Sequence, residues 1–239
     1  MNTFYTQHIY VLYQNENEYT RFKNYIEKYK IKLDYEMIKS VPVVLDENLN
    51  NKKNLNSTCK YLNNYMKRYI NYKLNPKQIS HIKSIKKIIN NAIINNYDSI
   101  TILEYDVLFH KNFSDLLPNY KNLINNSDII YLGSSQSSWY NPITLEKIEY
   151  HSNYYTANHS LGTFAIILKK QVFKKYIEYL DAFLFSSDIV LSIISKYYKS
   201  IVIYPNLIIC DVTKSTILED RDEMKTFIKF KWDKKIYMT

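Results

Sequence analysis

Hydrophobic and polar positions follow two patterns along the chain. Short apolar runs, typical of buried strands, occupy residues 8–13, 37–45, 99–109, 128–132, 164–168, 201–204 and 207–210. Apolar positions at helical spacing predict helices within residues 19–31, 76–93, 113–123, 170–180 and 189–197. Because strands and helices alternate from the start of the chain, an α/β domain is predicted. No internal repeat or clear linker is present, so residues 1–239 are expected to form a single domain.

The most clearly delimited helix begins at Asn75 and Pro76. An asparagine caps a helix well, and proline suits the first helical position. The isoleucines that follow form one apolar stripe. His81 lies at the edge of this stripe, one turn before Ile85. Its side chain is therefore expected to turn towards the sheet, where it could also be an ordinary histidine at the edge of the core.

Two acids, Glu104 and Asp106, follow the apolar run of residues 100–103. Side chains at positions i and i+2 of an extended chain point to the same side. Two carboxylates at the end of a buried strand are costly unless a positive charge lies between them. A divalent cation meets that need, and open α/β sheets bind ligands at this end. The pattern predicts a metal site for a nucleotide diphosphate, although two acids in this spacing also occur as solvated residues at a strand end.

Composition and charge narrow the classes of protein. The chain is 46% hydrophobic and 15% aromatic, which excludes a disordered protein. A net charge of +9 fits nucleic acid, an anionic membrane surface or an anionic small substrate, and also fits lysines on solvated helix faces. The two distant cysteines imply no disulfide framework. Without an apparent signal peptide or a long apolar run, a cytoplasmic protein with no transmembrane segment is expected.

Two polar segments stand apart from these patterns. Residues 46–58 are rich in asparagine and are predicted to form a surface loop or a mobile lid. Residues 219–239 are predicted to form a charged C-terminal tail.

Several short segments occur in a recognisable order. They are IYVL at residues 9–12 with Arg21, ISH at 79–81, ILEYDV at 102–107, DIIYLG at 128–133, GTFAII at 162–167, Ser187 with Asp188, and residues 205–217. In this order the chain resembles glycosyltransferase family 25, which includes lipooligosaccharide galactosyltransferases and collagen galactosyltransferase domains. The resemblance extends over residues 8–218.

The resemblance implies a GT-A-like fold, with a mixed central sheet flanked by helices, and an inverting, metal-dependent glycosyltransferase. The donor would be a nucleotide-diphosphate sugar, in first place a UDP-sugar, and the acceptor a hydroxyl of a glycan or glycoprotein. Mn²⁺ or Mg²⁺ would be held by Glu104 and Asp106, with Asp211 as third ligand unless it is a plain strand-end acid. Asp188 would be the catalytic base, although an acid at a helix start is also favoured by capping alone.

The resemblance also implies residues that contact the nucleotide. They are Tyr13, Arg21, His81, Gly133 and Gly162. Arg21 would pair with a phosphate. The chain has only two glycines, and both fall within the matched segments, which predicts backbone positions that a Cβ atom would obstruct.

Two alternatives remain open at the level of sequence. In the family the acid pair encloses a third acid, whereas here the enclosed residue is Tyr105, so the chain could be a catalytically degenerate relative that binds sugar nucleotides. A basic nucleic-acid-binding protein would place its charge on one face and bind less tightly as salt increases. That class gives no reason for paired acids at a buried strand end, so no DNA partner is expected.

Overall fold

The computed structural model describes residues 3–44, 73–136, 138–139, 147–148, 151–214 and 222–239. The predicted loop at residues 46–58 lies outside this part of the chain. The strands are β1 (His8–Tyr13), β2 (Glu36–Lys39), β3 (Ser99–Glu104), β4 (Val107–Phe109), β5 (Ile129–Tyr131), β6 (Tyr154–Thr156), β7 (Ala165–Lys169), β8 (Ser200–Ile203) and β9 (Ile208–Cys210). The helices are α1 (Glu16–Lys28), α2 (Pro76–Ile94), α3 (Phe113–Leu116), α4 (Lys121–Asn125), α5 (Lys170–Leu180), α6 (Ser187–Ile194) and α7 (Glu223–Phe230). Short 3₁₀ turns lie at Leu117–Tyr120, Ser195–Tyr197, Val212–Lys214 and Lys234–Ile236.

A mixed sheet forms the centre of the molecule. Within the described residues it has seven strands in the order β2-β1-β3-β7-β5-β8-β6, and β4 pairs separately with β9. Strand β1 is parallel to β2 and β3, β7 is antiparallel to β3 and β5, and β5 is parallel to β8. The carboxyl ends of β1, β2, β3, β5 and β8 therefore meet at one edge of the sheet.

Helices cover both faces of this sheet. On one face, Phe22 of α1 packs in the same core as Ile9 and Val11. On the other face, Ile85 of α2 packs in the same core as Tyr10, together with buried residues of α5 and α6. Successive β1 residues thus enter opposite cores, as expected of a strand that is buried on both sides. The predicted α/β class is confirmed.

Strand β1 also lies where the strand order reverses. The chain passes from β1 through α1 to the edge strand β2, and helix α2 on the opposite face then leads into β3 on the other side of β1. Open α/β sheets bind ligands at such a switch point, outside the carboxyl ends of the strands. The topology therefore directs attention to the carboxyl ends of β1 and β3.

Helix α2 begins where the sequence predicts it. Asn75 Oδ1 accepts a hydrogen bond of 2.8 Å from the backbone N–H of Gln78, and Gln78 Oε1 accepts one of 3.0 Å from the backbone N–H of Asn75. These reciprocal bonds form a capping box, and Pro76 occupies the first turn. The predicted helix is confirmed.

Two predicted elements differ from the structure. The segment at residues 113–123 is not one helix, because Pro118 lies within the 3₁₀ turn that separates α3 from α4, and proline cannot donate a helical hydrogen bond. The second strand ends at Lys39 instead of reaching residue 45. There the backbone N–H and carbonyl of Val41 bond to the hydroxyl groups of Ser84 and Ser80 in α2, so the chain leaves the sheet.

The C-terminal segment is part of the folded domain over residues 222–239. Phe227, Trp232 and Tyr237 are buried in the core on the α1 face of the sheet. The indole N–H of Trp232 donates to the carbonyl of Ser134 at 3.2 Å. Apolar contacts thus hold this segment in place, although its sequence is dominated by charged residues. No helix in the described ranges is both long and apolar enough to cross a membrane.

Each of the two glycines has a steric reason in the structure. A Cβ atom on Gly133 would lie 1.7 Å from the carbonyl oxygen of Ile208. Gly162 has a φ angle of +96°, and a Cβ there would lie 2.5 Å from the ring of Phe164. The expectation that a Cβ would be obstructed at both positions is confirmed, and the obstruction comes from the protein's own atoms.

Candidate functional site

A cleft of about 480 Å³, counted with its open mouth, lies at the carboxyl ends of β1 and β3. The end of β1 contributes Tyr13, the first turns of α2 contribute Lys77 and His81, and the chain after β3 contributes Glu104 and Asp106. The cleft therefore occupies the switch point of the sheet, where this type of fold binds ligands. Four residues predicted from the sequence, Tyr13, His81, Glu104 and Asp106, meet in it.

Glu104 is the last residue of β3, and the antiparallel neighbour β7 holds it in place. Its backbone N–H donates to the carbonyl of Phe164 at 2.8 Å. Its carboxylate oxygen Oε1 accepts a hydrogen bond of 3.2 Å from the hydroxyl of Thr163. The same oxygen lies 3.3 Å from Nε2 of His81, an ion-pair distance. The Glu104 carboxylate is therefore fixed on one oxygen by groups from two other elements.

Asp106 lies in the turn between β3 and β4 and is only 8% exposed. Its Oδ1 atom has no hydrogen-bond partner among the described residues. Burial raises the pKa of this carboxyl well above its usual range, and the nearby charges of Glu104 and Asp211 add to the rise, against the lowering effects of its own backbone N–H and Arg21. Within the described ranges, the site thus holds a buried carboxylate that no positively charged side chain contacts.

Asp211 and Arg21, predicted as a metal ligand and a phosphate contact, bind each other. The Arg21 guanidinium donates to Asp211 Oδ2 at 2.6 Å, and the Thr213 hydroxyl donates to Oδ1 at 2.6 Å. Burial alone would raise the pKa of Asp211, but these hydrogen bonds and the charge of Arg21 lower it below its usual value. The backbone N–H of Asp211 donates to the carbonyl of Asp106 at 2.7 Å. The Arg21–Asp211 ion pair is therefore next to the turn that carries Asp106.

The Arg21–Asp211 pair lines a second cleft, of about 830 Å³ with its open mouth, between α1 and the C-terminal segment. Within the described residues, no three or more histidine, cysteine, aspartate or glutamate side chains form a group that could hold a metal ion. The structure thus brings Glu104 and Asp106 together in one cleft. The Asp211 carboxylate instead accepts hydrogen bonds from Arg21 and Thr213. Its role as a metal ligand stays a prediction.

His81 turns towards the sheet as predicted, with 12% of its side chain exposed. Its Nδ1 lies 2.8 Å from the hydroxyl oxygen of Ser187, and its Nε2 faces Glu104. Burial lowers the pKa of His81, but the neighbouring carboxylates of Glu104 and Asp188 outweigh that effect and raise it. Imidazolium is therefore favoured at this position.

Asp188 lies in the first turn of α6, beside His81, and is not among the described residues that line the first cleft. Its Oδ1 accepts hydrogen bonds from the hydroxyl of Ser186 at 2.5 Å and from the backbone N–H of Ile189 at 2.9 Å. These bonds are typical of an acid at a helix start. Its role as a catalytic base stays a prediction. Gly133 and Gly162 also lie outside the described lining of the cleft.

Three residues at the site were missed from the sequence, namely Thr163, Ser187 and Lys77. Thr163 directly follows Gly162 and precedes β7 by two residues, and recognising that β7 pairs antiparallel with β3 would have placed it close to Glu104. Lys77 follows Pro76, and a crossover helix begins at the carboxyl edge of a parallel sheet. Ser187 lies in one of the matched segments, but nothing near it in the sequence indicates its contact with His81.

Comparisons with known proteins assign neither a family nor a function to the chain. A scan against protein-family models and a search of curated proteins each found no match to this chain. The function must therefore be inferred from the residues of the cleft and their geometry.

Proposed function

We propose that the protein is a metal-dependent, inverting glycosyltransferase. It would move a sugar from a nucleotide-diphosphate sugar, in first place a UDP-sugar, to a hydroxyl of a glycan or glycoprotein acceptor. The observation that carries the proposal is the buried Asp106 carboxylate, whose Oδ1 has no hydrogen-bond partner among the described residues, beside Glu104 at the switch point of the sheet. The mixed sheet with this acid pair at its carboxyl edge is compatible with a GT-A-like fold.

The acid pair fits a divalent cation. Mn²⁺ and Mg²⁺ prefer oxygen ligands and commonly use one or two carboxylates together with substrate phosphates. Glu104 and Asp106 would supply these carboxylates, and the orphaned Oδ1 of Asp106 is what such a site contains before its cation binds. The bound cation would supply positive charge that stabilises the departing diphosphate.

Other residues of the cleft suit the donor nucleotide. The ring of Tyr13 at the end of β1 offers an aromatic surface, and the Lys77 ammonium adds positive charge for phosphates. Arg21 could reach a phosphate only after releasing Asp211, to which it donates at 2.6 Å. Lys77 lines the cleft that holds the acid pair, whereas Arg21 lines the second cleft, so we expect Lys77 to contact the diphosphate first.

Inversion requires a base that takes the proton of the acceptor hydroxyl on the face opposite the leaving group. Asp188 keeps this role in the proposal, because it is an acid close enough to act on the charge of His81, a residue that lines the cleft. Since its Oδ1 already accepts two hydrogen bonds, Oδ2 would have to take the proton.

The proposal is tested by thermal unfolding with UDP-, GDP- and CMP-sugars, each with and without Mn²⁺. For the wild type we expect one nucleotide to raise the melting temperature only when Mn²⁺ is present, beyond the rise that Mn²⁺ alone gives. Asp106→Asn should abolish the rise. Asp98→Asn should leave it unchanged, because Asp98 is an exposed acid at the opposite end of β3.

A turnover assay then separates the alternatives. Release of free nucleotide and transfer of sugar in the presence of Mn²⁺ would support the transferase. Metal-dependent nucleotide binding without either product would favour the catalytically degenerate relative. Absence of any nucleotide-dependent shift, together with salt-sensitive binding to DNA or RNA, would reject the proposal in favour of a nucleic-acid-binding protein.

A further inference from the structure

His81 lines the cleft and connects three elements of the fold. It projects from α2, its Nε2 lies 3.3 Å from Oε1 of Glu104 at the end of β3, and its Nδ1 lies 2.8 Å from the hydroxyl oxygen of Ser187 at the start of α6. We propose that Ser187 and His81 are positioning residues that orient the Glu104 carboxylate for its cation. This inference rests on the proposed function, since it takes Glu104 as a cation ligand.

The two contacts define which ring nitrogen carries a proton. A carboxylate attracts an N–H and repels a lone pair, so a proton is favoured on the nitrogen that faces Glu104. The hydroxyl of Ser187 can donate to Nδ1 or accept from it, and it therefore suits both the neutral ring and imidazolium. In either state Nε2 lies 3.3 Å from Oε1 of Glu104, an ion-pair distance without hydrogen-bond geometry, and the hydrogen bond between Nδ1 and Ser187 orients the ring from its far side.

Ser187 is itself held firmly. It is 3% exposed, and its carbonyl accepts a hydrogen bond of 2.9 Å from the hydroxyl of Tyr176, a buried residue of α5. The anchor of His81 therefore belongs to two packed helices, and the imidazole cannot rotate away without breaking a buried hydrogen bond.

A serine, a histidine and an acid in line also occur in acyl-transfer enzymes, where the serine is the nucleophile. That function requires a serine that substrate can reach. Ser187 is buried and is not among the described residues lining the cleft, whereas Glu104 is. The roles of the serine and the acid are therefore exchanged. Here Ser187 supports the histidine, and Glu104 is the residue that would contact a ligand.

Groups that hydrogen-bond to metal-ligating side chains typically change metal affinity by about 10–100-fold when removed. Ser187 acts on Glu104 through His81, so its removal should have an effect at the lower end, roughly tenfold. Thr163 also donates to Glu104 Oε1 at 3.2 Å and should retain part of the orientation.

The first measurement is ¹H–¹⁵N NMR of the imidazole groups in protein labelled at its five histidines. We expect Nε2 of His81 to be protonated, and we expect its ring signals to shift in Ser187→Ala but not in Ser192→Ala. Ser192 is a matched control, because it is a buried serine of the same helix. An unprotonated Nε2, or signals unchanged by Ser187→Ala, would overturn the proposal without involving any cation.

The second measurement is calorimetric titration with Mn²⁺ alone. Ser187→Ala should weaken binding roughly tenfold, Ser187→Thr should restore it by retaining the hydroxyl, and Ser192→Ala should match the wild type. Equal affinity in the wild type and Ser187→Ala would overturn the positioning role and leave the proposed function standing. No Mn²⁺ binding by the wild type would reject both.

Discussion

Replacing Asp106 by asparagine should stabilise the cation-free protein while abolishing cation binding. The carboxylate is 8% exposed and close to Glu104, and its Oδ1 lacks a hydrogen-bond partner within the described residues. An unsatisfied buried polar group costs about 1–3 kcal/mol, and more when it is charged. Asparagine keeps the shape of the side chain and removes the charge, so the variant should gain stability at neutral pH.

The sign of the pH dependence follows from the raised pKa. Because native Asp106 holds its proton more tightly than the unfolded chain does, stability should fall as pH rises from the usual aspartate pKa of 3.8 to the higher native value. Within that window the free energy of unfolding should fall by up to about 1.4 kcal/mol per pH unit. For a chain of this size this decrease corresponds to roughly 3–6 °C in melting temperature per pH unit.

The assay is thermal unfolding followed by circular dichroism between about pH 4 and pH 8, with a chelator present. Asp106→Asn should lack the decline with pH that the wild type shows in this window, and Asp98→Asn should retain it. In a parallel series without chelator, added Mn²⁺ should restore wild-type stability at the upper end of the range and have no effect on Asp106→Asn. If wild type and Asp106→Asn showed the same pH dependence, the reasoning about a buried carboxylate with a raised pKa would be refuted.

Three further predictions concern the surroundings of the site. Gly133→Ala should destabilise the fold by about 1–3 kcal/mol or more in urea unfolding, because its Cβ would meet the carbonyl of Ile208 at 1.7 Å. Trp232→Ala should cost about 3–5 kcal/mol in the same assay, since the indole is buried and bonded to Ser134. Arg21→Gln should cost roughly 1 kcal/mol, limited by solvent screening. That loss should be present above the usual aspartate pKa of 3.8 and disappear as pH falls below it, because the lowered pKa of Asp211 stabilises only its ionised form.

Each of these has a result that would contradict it. Unchanged stability of Gly133→Ala would mean that β9 can shift away from Gly133 at little cost. Met224 is an exposed residue of the same segment. If Trp232→Ala lowered the free energy of unfolding no more than Met224→Ala, packing of the C-terminal segment would contribute little to stability. A loss in Arg21→Gln that is the same at every pH would show that its contact with Asp211 is not electrostatic.

Elements with strong local patterns could be predicted from the sequence. The strand at residues 99–104 is rich in apolar and β-branched residues, the helix after Asn75 has a cap and an apolar stripe, and the helix at residues 170–180 has regular apolar spacing. The acid pair was predictable for the same reason, since it follows directly from the end of a recognisable strand.

Features that depend on distant pairing could not be predicted in the same way. Thr163 follows Glu104 by 59 residues and Ser187 follows His81 by 106, so neither contact is visible in a local pattern. The ion pair that occupies Arg21 and Asp211 spans 190 residues. In the C-terminal segment, charged residues lie between the apolar positions of α7, so the sequence does not show a helical apolar pattern. Only Phe227 and Trp232 indicate that the segment is buried.

The position of the C-terminal segment has a consequence for how the molecule is made. The backbone N–H of Met238 donates to the carbonyl of Phe109 at 2.9 Å, and that of Lys111 donates to the carbonyl of Ile236 at 2.8 Å. These bonds support the strand that follows Asp106. Since a chain leaves the ribosome from its N-terminus, the sheet can assemble before these supports exist. We expect the acid pair to be among the last parts of a nascent molecule to become ordered, after every strand of the sheet has been synthesised.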